Sequence, residues 1–324
     1  MMMAILAEKH FDAFHKSVKK CIEIGRALQD GKDTTKVSRK LSISKQTYDA
    51  NSPNIRNSAN DSIYKIHFPY KRKLLTQPAR VVGSIIAFVP KKEHIVRYET
   101  PYIFTPSADF DTEKLAKLKA RIDLEYVSTE NDNKATRPPE IRGVAAKIMI
   151  CTVRSKKYPI PIEISQEMKF RNIPGKNDSV ENYVVAPFKT YLEEMSKFIG
   201  AYGTHQLGIS KQLLVDVKSL ANLESKTTSL KVDNITVHTK GGLGQWKEST
   251  NNNKAEKSIQ IDVDIQSLFI KDSKRTIDDT LNGALALVPS FQSCIMCRYY
   301  YLLVEIKLGN GDIMPVKIPF RVSK

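Results

Sequence analysis

The sequence predicts a mainly β protein: an antiparallel sandwich with an N-terminal helix and a helical insert. Three observations lead there. Residues 288–324 hold two runs of strict apolar–polar alternation around Gly309-Asn310-Gly311-Asp312, a strong hairpin signal. The run Val81-Val82-Gly83-Ser84-Ile85-Ile86-Ala87-Phe88-Val89 is apolar on both faces, as an interior strand requires. Prolines at 69, 78, 90, 101 and 106 punctuate these runs, where the missing N–H is tolerated at edges and turns. A chain closed by its own C-terminal hairpin points to a binding scaffold rather than a catalytic α/β fold.

Taken in order, residues 5–30 place Phe11, Phe14, Val18, Cys21, Ile22, Gly25 and Leu28 near one helical face, with Gly31 as the stop. Residues 32–61 are rich in Lys, Ser, Asn and Asp and lack periodicity, so they read as a linker. Residues 63–68, 80–89 and 96–104 read as strands. Residues 111–124 read as a helix through Leu115, Leu118 and Ile122. A β-pair follows over 141–164. Residues 187–202 repeat Phe188, Tyr191, Leu192, Met195, Phe198, Ile199 and Tyr202 at helical spacing, with Pro187 at the start and Gly203 just past the end. Strands then fall at 213–217, 230–237, 258–265, 294–308 and 313–322. In the last two, Tyr300, Leu302, Val304, Ile306 and Leu308 share one face, and Met314, Val316, Ile318, Phe320 and Val322 share the other strand's inner face.

The 324 residues suffice for one large or two ordinary domains, and 41% hydrophobic with 27% charged residues is a globular composition. No apolar run approaches the roughly 18 residues of a membrane span. The apolar start ends at Glu8-Lys9, too soon for a signal peptide, so Cys21, Cys151, Cys294 and Cys297 are expected to be buried thiols of a cytoplasmic protein. Cys294 and Cys297 lie three apart on an expected strand, hence on opposite faces, and no second ligand pair exists; neither a metal nor any other cofactor is expected. Gly241-Gly242-Leu243-Gly244 is not a phosphate-binding motif and reads as a flexible loop around the lone Trp246. No nucleophile elbow or zinc-protease motif is present, so no enzyme is expected.

What remains is charge. A formal net charge of +16 favours acidic partners: anionic lipid, nucleic acid or acidic protein tails. The basic clusters are Lys71-Arg72-Lys73, Lys91-Lys92, Lys134 with Arg137, and Arg154 with Lys156 and Lys157, mostly at turns between strands. Turn lysines also serve simply to keep β edges soluble and unpaired. The alternative is that two or more clusters converge on one anion-binding patch.

Two stretches carry a family resemblance. Val288-Pro289-Ser290-Phe291-Gln292-Ser293, the tyrosine-rich strand after it and the ending Val316-Lys317-Ile318-Pro319-Phe320-Arg321-Val322 resemble the last strands of an arrestin-type C-lobe. Pro138-Pro139-Glu140-Ile141-Arg142, the basic turn Arg154-Ser155-Lys156-Lys157 and Tyr158-Pro159-Ile160-Pro161-Ile162-Glu163-Ile164 resemble the strands that open it. Within arrestin-like proteins the chain is most similar to the fungal Bul family of ubiquitin-ligase adaptors, over roughly residues 62–324. The resemblance implies an arrestin-like, immunoglobulin-like sandwich in three parts: a helix and linker over 1–61, terminal strands of a partial N-lobe over 62–107, and a C-lobe over 108–324. It implies a non-catalytic adaptor for ubiquitin-dependent endocytosis and sorting, cytoplasmic and peripheral to membranes. Its implied partners are acidic cytosolic tails of membrane transporters, bound through the basic turns, and a WW-domain HECT-type ubiquitin ligase. The family's P-P-x-Y ligase motif is missing, since Pro138-Pro139-Glu140-Ile141 has Ile where Tyr is needed. The alternative function is a basic sandwich that binds anionic lipid or nucleic acid with no ubiquitin role.

Overall fold

The computed structural model describes residues 2–32, 63–74, 77–97, 117–129, 137–170, 179–232, 235–239, 242–248, 254–265 and 287–323. The linker, residues 98–104 of the expected third strand, Lys134 and Gly241 lie outside these ranges. The chain divides into two compact units. One comprises Ala59–Ile150, Thr228–Ser290 and Tyr299–Lys324; the other comprises Met1–Ser58, Cys151–Thr227 and Phe291–Arg298.

The first unit holds most of the two sheets of the sandwich. One sheet has the order β1 (Ile63–Leu74), β2 (Gln77–Pro90), β4 (Lys117–Ser128), β9 (Lys254–Asp264) and β7 (Ile235–Thr239), with the short β8 (Lys247–Glu248) also on β9. The other has the order β3 (His94–Arg97), β12 (Ile313–Ser323), β11 (Met296–Leu308), β5 (Ile141–Arg154) and β6 (Glu224–Lys231), with β10 (Phe291–Gln292) on β11. The strand pairs of the first sheet are antiparallel, whereas β3 joins β12 in parallel, Phe320 opposite His94. The sandwich expected from alternation is therefore present, with one parallel edge that alternation cannot reveal.

The expected C-terminal hairpin forms, with Tyr300 opposite Phe320, Val304 opposite Val316 and Ile306 opposite Met314. At its turn the Gly311 N–H donates to the Leu308 carbonyl and the Leu308 N–H to that of Asp312, both at 2.9 Å. Gly311 has φ 85°, a conformation that a side chain disfavours. All ten inward residues named above are buried, and with Ile85, Ala87, Val89, Leu118, Ile122, Tyr126, Ile259 and Ile261 they form one apolar core between the sheets. Tyr300 brings its hydroxyl into that core by donating to the Val288 carbonyl.

Three segments depart from expectation. Residues 117–124, expected in a helix, are the first part of β4. Leu118, Ala120, Ile122, Leu124 and Tyr126 are buried and their neighbours are not, so the period is two; the spacing of Leu118 and Ile122 fits both templates, and sheet pairing decides. Residues 158–164, expected as a second strand, form no strand. Pro159 and Pro161 lack the N–H groups that would alternate toward one neighbour, so that side has almost no ladder to offer. Residues 213–217, expected as a strand, lie in a helix, and the single strand expected over 230–237 is two: β6 ends one sheet and β7 the other.

The second unit is mainly helical: α1 (Met2–Gln29), α2 (Gln166–Phe170), a π-helical turn (Glu181–Val185), α3 (Ala186–Gln206) and α4 (Lys211–Ala221). α1 buries Phe11, Val18, Cys21, Ile22 and Gly25 and ends as expected at Gly31, where the Lys32 N–H bonds back to the Ala27 carbonyl. α3 buries Phe188, Met195 and Phe198, but Gly203 (φ 77°, ψ 163°) kinks the helix instead of ending it. The end comes at Gly208, whose N–H reaches His205 while that of Ile209 reaches Thr204. α4 starts on Ser210, whose Oγ accepts the Leu213 N–H at 3.1 Å, a cap that explains why this apolar run is helical. α1 and α3 meet through stacked Phe14 and Phe188, a 2.8 Å His15–Tyr191 hydrogen bond and a two-pronged Arg26–Glu194 ion pair.

Candidate functional site

The expected basic clusters of the described segments fall at two places on the sandwich and one in the helical unit. Lys71, Arg72 and Lys73 are the last turnward residues of β1. Lys91 and Lys92 follow β2, next to the other end of β1, because Ile63 pairs with Pro90. The eight residues from Ile63 to Tyr70 separate these ends by roughly 25 Å at strand rise. Arg154, Lys156 and Lys157 belong to the helical unit.

β1 itself is the most distinctive of these places. It is an edge strand, paired on one side with β2 and with no strand on the other among the described residues. Tyr64, Ile66, Phe68 and Tyr70 point inward but are only half-buried, because no neighbouring strand covers their outer flank. The strand carries Lys65, Lys71, Arg72 and Lys73 and no carboxylate. The Lys91 ammonium sits 5.6 Å from the Tyr64 ring centroid, and that of Lys65 sits 5.8 Å from Phe88. Register shifts follow Tyr70 and Arg72, and the Lys71 carbonyl accepts from the Asn310 side chain, so the regular open edge is Ile63–Tyr70.

Arg72 stands directly opposite Arg80 of β2. Like charges at opposed positions oppose sheet formation, and neither guanidinium has an ion-pair partner among the described residues. Arg80 escaped the sequence reading because it lies outside every cluster; only the β1–β2 register shows it facing Arg72. The same lack of a counter-charge is not general. On the outward face of the first sheet, a groove of about 710 Å³ is lined by Arg121, Asp123, Glu125, His238, Glu256 and Gln260. There Arg121 pairs with Asp123 at 2.9 Å, Lys254 with Glu125 at 2.8 Å and His238 with Asp262 at 3.6 Å. The hydrogen bond from Lys254 and the charge of Glu125 hold the Lys254 pKa up. In the groove Arg121 and Lys254 have carboxylate partners; at the β1 edge Arg72 and Arg80 have none among the described residues.

At the end of β5, Glu224 of β6 takes both Arg154, at 2.7 Å, and Lys156. Their hydrogen bonds, Lys156 first, pull the Glu224 carboxyl below its ordinary range. Lys157 instead lies 5.6 Å over the Tyr158 ring.

Three further expectations meet the structure here. Cys294, expected to be buried, is exposed in the bend before β11, while Cys21, Cys151 and Cys297 are buried. The Gly242–Trp246 stretch, expected as a flexible loop, is anchored: Trp246 donates to the Pro139 carbonyl at 2.8 Å, and the buried Lys257 ammonium donates to the Gly242 and Gln245 carbonyls. Burial lowers the Lys257 pKa. Pro138-Pro139 is likewise part of the fold, with Pro139 and Ile141 buried and the Glu140 carbonyl accepting the Gly309 N–H at 2.8 Å. Among the described residues no group of three or more His, Cys, Asp or Glu side chains could hold a metal, and no helix is long and apolar enough to cross a membrane.

Comparison with known proteins agrees with these strands. A family model described as "Bul1 C terminus" matches residues 107–240 and 234–324. The chain is 23% identical over 281 residues to the ubiquitin ligase-binding protein BUL1 of Saccharomyces cerevisiae (strain ATCC 204508 / S288c), an alignment covering 65% of this chain and 28% of that protein. The chain thus spans little more than a quarter of the curated relative it matches. With more than half of its length matched by the family model, and with the C-terminal hairpin, β4, β5 and β9 all inside the match, the chain belongs to the Bul1 C-terminal family.

Proposed function

We propose that this chain is a non-catalytic binding module of a ubiquitin-ligase adaptor, and that it captures an acidic, extended segment of a membrane transporter's cytosolic tail along β1. The observation that carries the reading is the β1 edge, open among the described residues, with an Arg72–Arg80 pair that meets no carboxylate among them. An extended peptide adding to the edge would satisfy outward N–H and C=O groups of Ile63–Tyr70, and its carboxylates would meet Lys65, Lys71, Arg72 and Arg80. Lys91 would meet the peptide at the Ile63 end. Main-chain pairing supplies affinity, and the half-covered Tyr64, Ile66, Phe68 and Tyr70 supply side-chain contacts.

The matched relative is named for binding a ubiquitin ligase. In this chain the diproline is folded into the sandwich and ends in buried Ile141, so it is not a WW-domain ligand. We therefore assign the chain the cargo-facing half of adaptor work. The test is fluorescence anisotropy with an eight-residue acidic peptide and its neutral Gln/Asn counterpart. The acidic peptide should bind and weaken as salt rises above about 0.15 M. Arg72→Glu with Arg80→Glu should weaken it at least about tenfold, as loss of two charge-assisted contacts implies. Equal binding of both peptides, insensitive to the double substitution, would reject the edge as the site.

A further inference from the structure

A second surface, independent of the β1 edge, joins exposed apolar residues to positive charge. Within the helical unit, residues 154–158 and 291–298 form one tip. The Ser155 N–H donates to the Ile295 carbonyl at 2.9 Å and the Ile160 N–H to that of Cys294 at 2.6 Å. Gln292 clamps the tip from the side, donating to the Ile162 carbonyl and accepting the Ile164 N–H, both at 2.9 Å. Ser293 closes the turn: its backbone N–H donates to the Met296 carbonyl at 2.7 Å, and its Oγ accepts the Met296 N–H at 3.1 Å.

The corner of that turn is Cys294-Ile295. Turn corners in soluble β proteins are usually Gly, Pro, Asn, Asp or Ser. Here Ile295 is 56% exposed, Phe291 is 38% exposed and Cys294 is exposed beside them. Single exposed apolar side chains are ordinary. Three on one braced turn are not explained by packing, since the turn is already held by Gln292, Ser293 and main-chain bonds. Around them stand Arg154, Lys156, Lys157 and Arg298, the last donating to Thr152 at 3.3 Å. Residues 154–158 and 291–298 contain no carboxylate. Among the described residues Glu224 pairs with Arg154 and Lys156, and Glu163 stands between Ile162 and Ile164, the two residues that Gln292 clamps. Four cations against these two carboxylates leave the tip positive.

We propose that this tip docks the chain on an anionic lipid surface, with Ile295 and Phe291 entering the headgroup–acyl boundary and Lys156, Lys157, Arg154 and Arg298 facing phosphate and serine headgroups. Apolar side chains projecting from a rigid basic turn match an interface that is apolar below and negative above. A membrane interface covers Ile295 and Phe291 without a pocket shaped for them, which a protein partner would have to supply.

The experiment is cosedimentation of the full chain with vesicles of phosphatidylcholine, with and without phosphatidylserine. Binding should require phosphatidylserine and weaken with salt. Lys157→Glu should lower partitioning at least about fivefold, and Ile295→Asp at least about tenfold. Lys211→Glu, an exposed charge reversal on α4, should leave it unchanged. Ile295→Ser, checked by its melting temperature, replaces Ile295→Asp if the latter misfolds. Because the other three cysteines are buried, an environment-sensitive dye on Cys294 should shift to the blue on phosphatidylserine vesicles. Equal binding to neutral vesicles, or loss with Lys157→Glu but none with either Ile295 substitution, overturns the proposal; the second pattern shows adsorption by charge alone, with no apolar side chain entering the membrane.

Discussion

β11 and β1 are strands of nearly equal length, 13 and 12 residues, with opposite tasks. β11 has a neighbour on each side, β12 and β5, and buries Tyr300, Leu302, Val304, Ile306 and Leu308. β1 has β2 alone among the described residues, and its inward side chains are half-covered. β11 carries one cation–carboxylate pair, Glu305 with Lys147 at 2.8 Å; β1 carries cations with no acid in the strand. The interior strand spends its backbone and side chains on the fold; among the described residues the edge strand has one backbone side open and its inward side chains only half-covered. Positive charge alone does not mark a site: the outward groove has cations too, but Arg121 and Lys254 there are each matched by a carboxylate.

The comparison breaks most visibly in the core. Val304→Asp puts an unpaired charge at a fully buried position and should cost more than about 5 kcal/mol, leaving the sandwich unfolded by circular dichroism. Phe68→Asp on β1 should lower the melting temperature by only a few degrees. Equal effects would erase the distinction between the strands. One strand inward from the edge, the interior already begins: a Cβ on Gly83 of β2 would lie 2.5 Å from the Tyr126 ring. Gly83→Ala should cost about 1–3 kcal/mol by denaturant titration, as overpacking does.

The edge of the second sheet sharpens the comparison through pH. On β3 the His94 Nε2 is buried with no hydrogen-bond partner among the described residues, and burial lowers its pKa below the ordinary value. A histidine so depressed binds fewer protons folded than unfolded. Its stabilising contribution is complete above the unfolded value of about 6.5 and is lost as pH falls below it. Burial lowers the His15 pKa in the same direction. Melting temperature should therefore drop between pH 7 and 5, and His94→Leu should flatten that drop. The smallest effect is the most pointed. Arg80→Glu turns the Arg72 pairing from like to opposite charge and should stabilise the protein by about 0.2–1 kcal/mol while weakening the acidic peptide. A substitution that gains stability and loses binding separates the edge's function from its folding.

How much of this was legible in the sequence varied with how locally each feature is specified. The hairpin was readable residue by residue, because Gly309–Asp312 turn chemistry and two alternating strands agree. α1 and its Gly31 stop were readable for the same reason. β4 was misread because Leu118 and Ile122 suit a helix as well as a strand, and only pairing with β2 and β9 separates the two. α4 was missed although Ser210 was there to cap it, since Leu213-Leu214-Val215 looks like a strand core. The basic residues were found, but their grouping was not. Lys71 and Lys91 turn out to flank one strand, Arg80 joins Arg72 only through register, and Glu224 meets Arg154 across seventy residues. Ile295 and Phe291 are apolar residues in a strand-like run, and nothing in the run says that they end up on a turn in water.

Strand addition of an acidic extended segment to the open side of β1 can be read by amide hydrogen exchange of the full chain, with and without the acidic peptide. Exchange should slow at alternate amides over Ile63–Tyr70, the ones that point away from β2, with Pro69 silent and the β11 amides unchanged. Binding of the peptide with no added protection in β1, or with protection confined to other strands, would contradict strand addition.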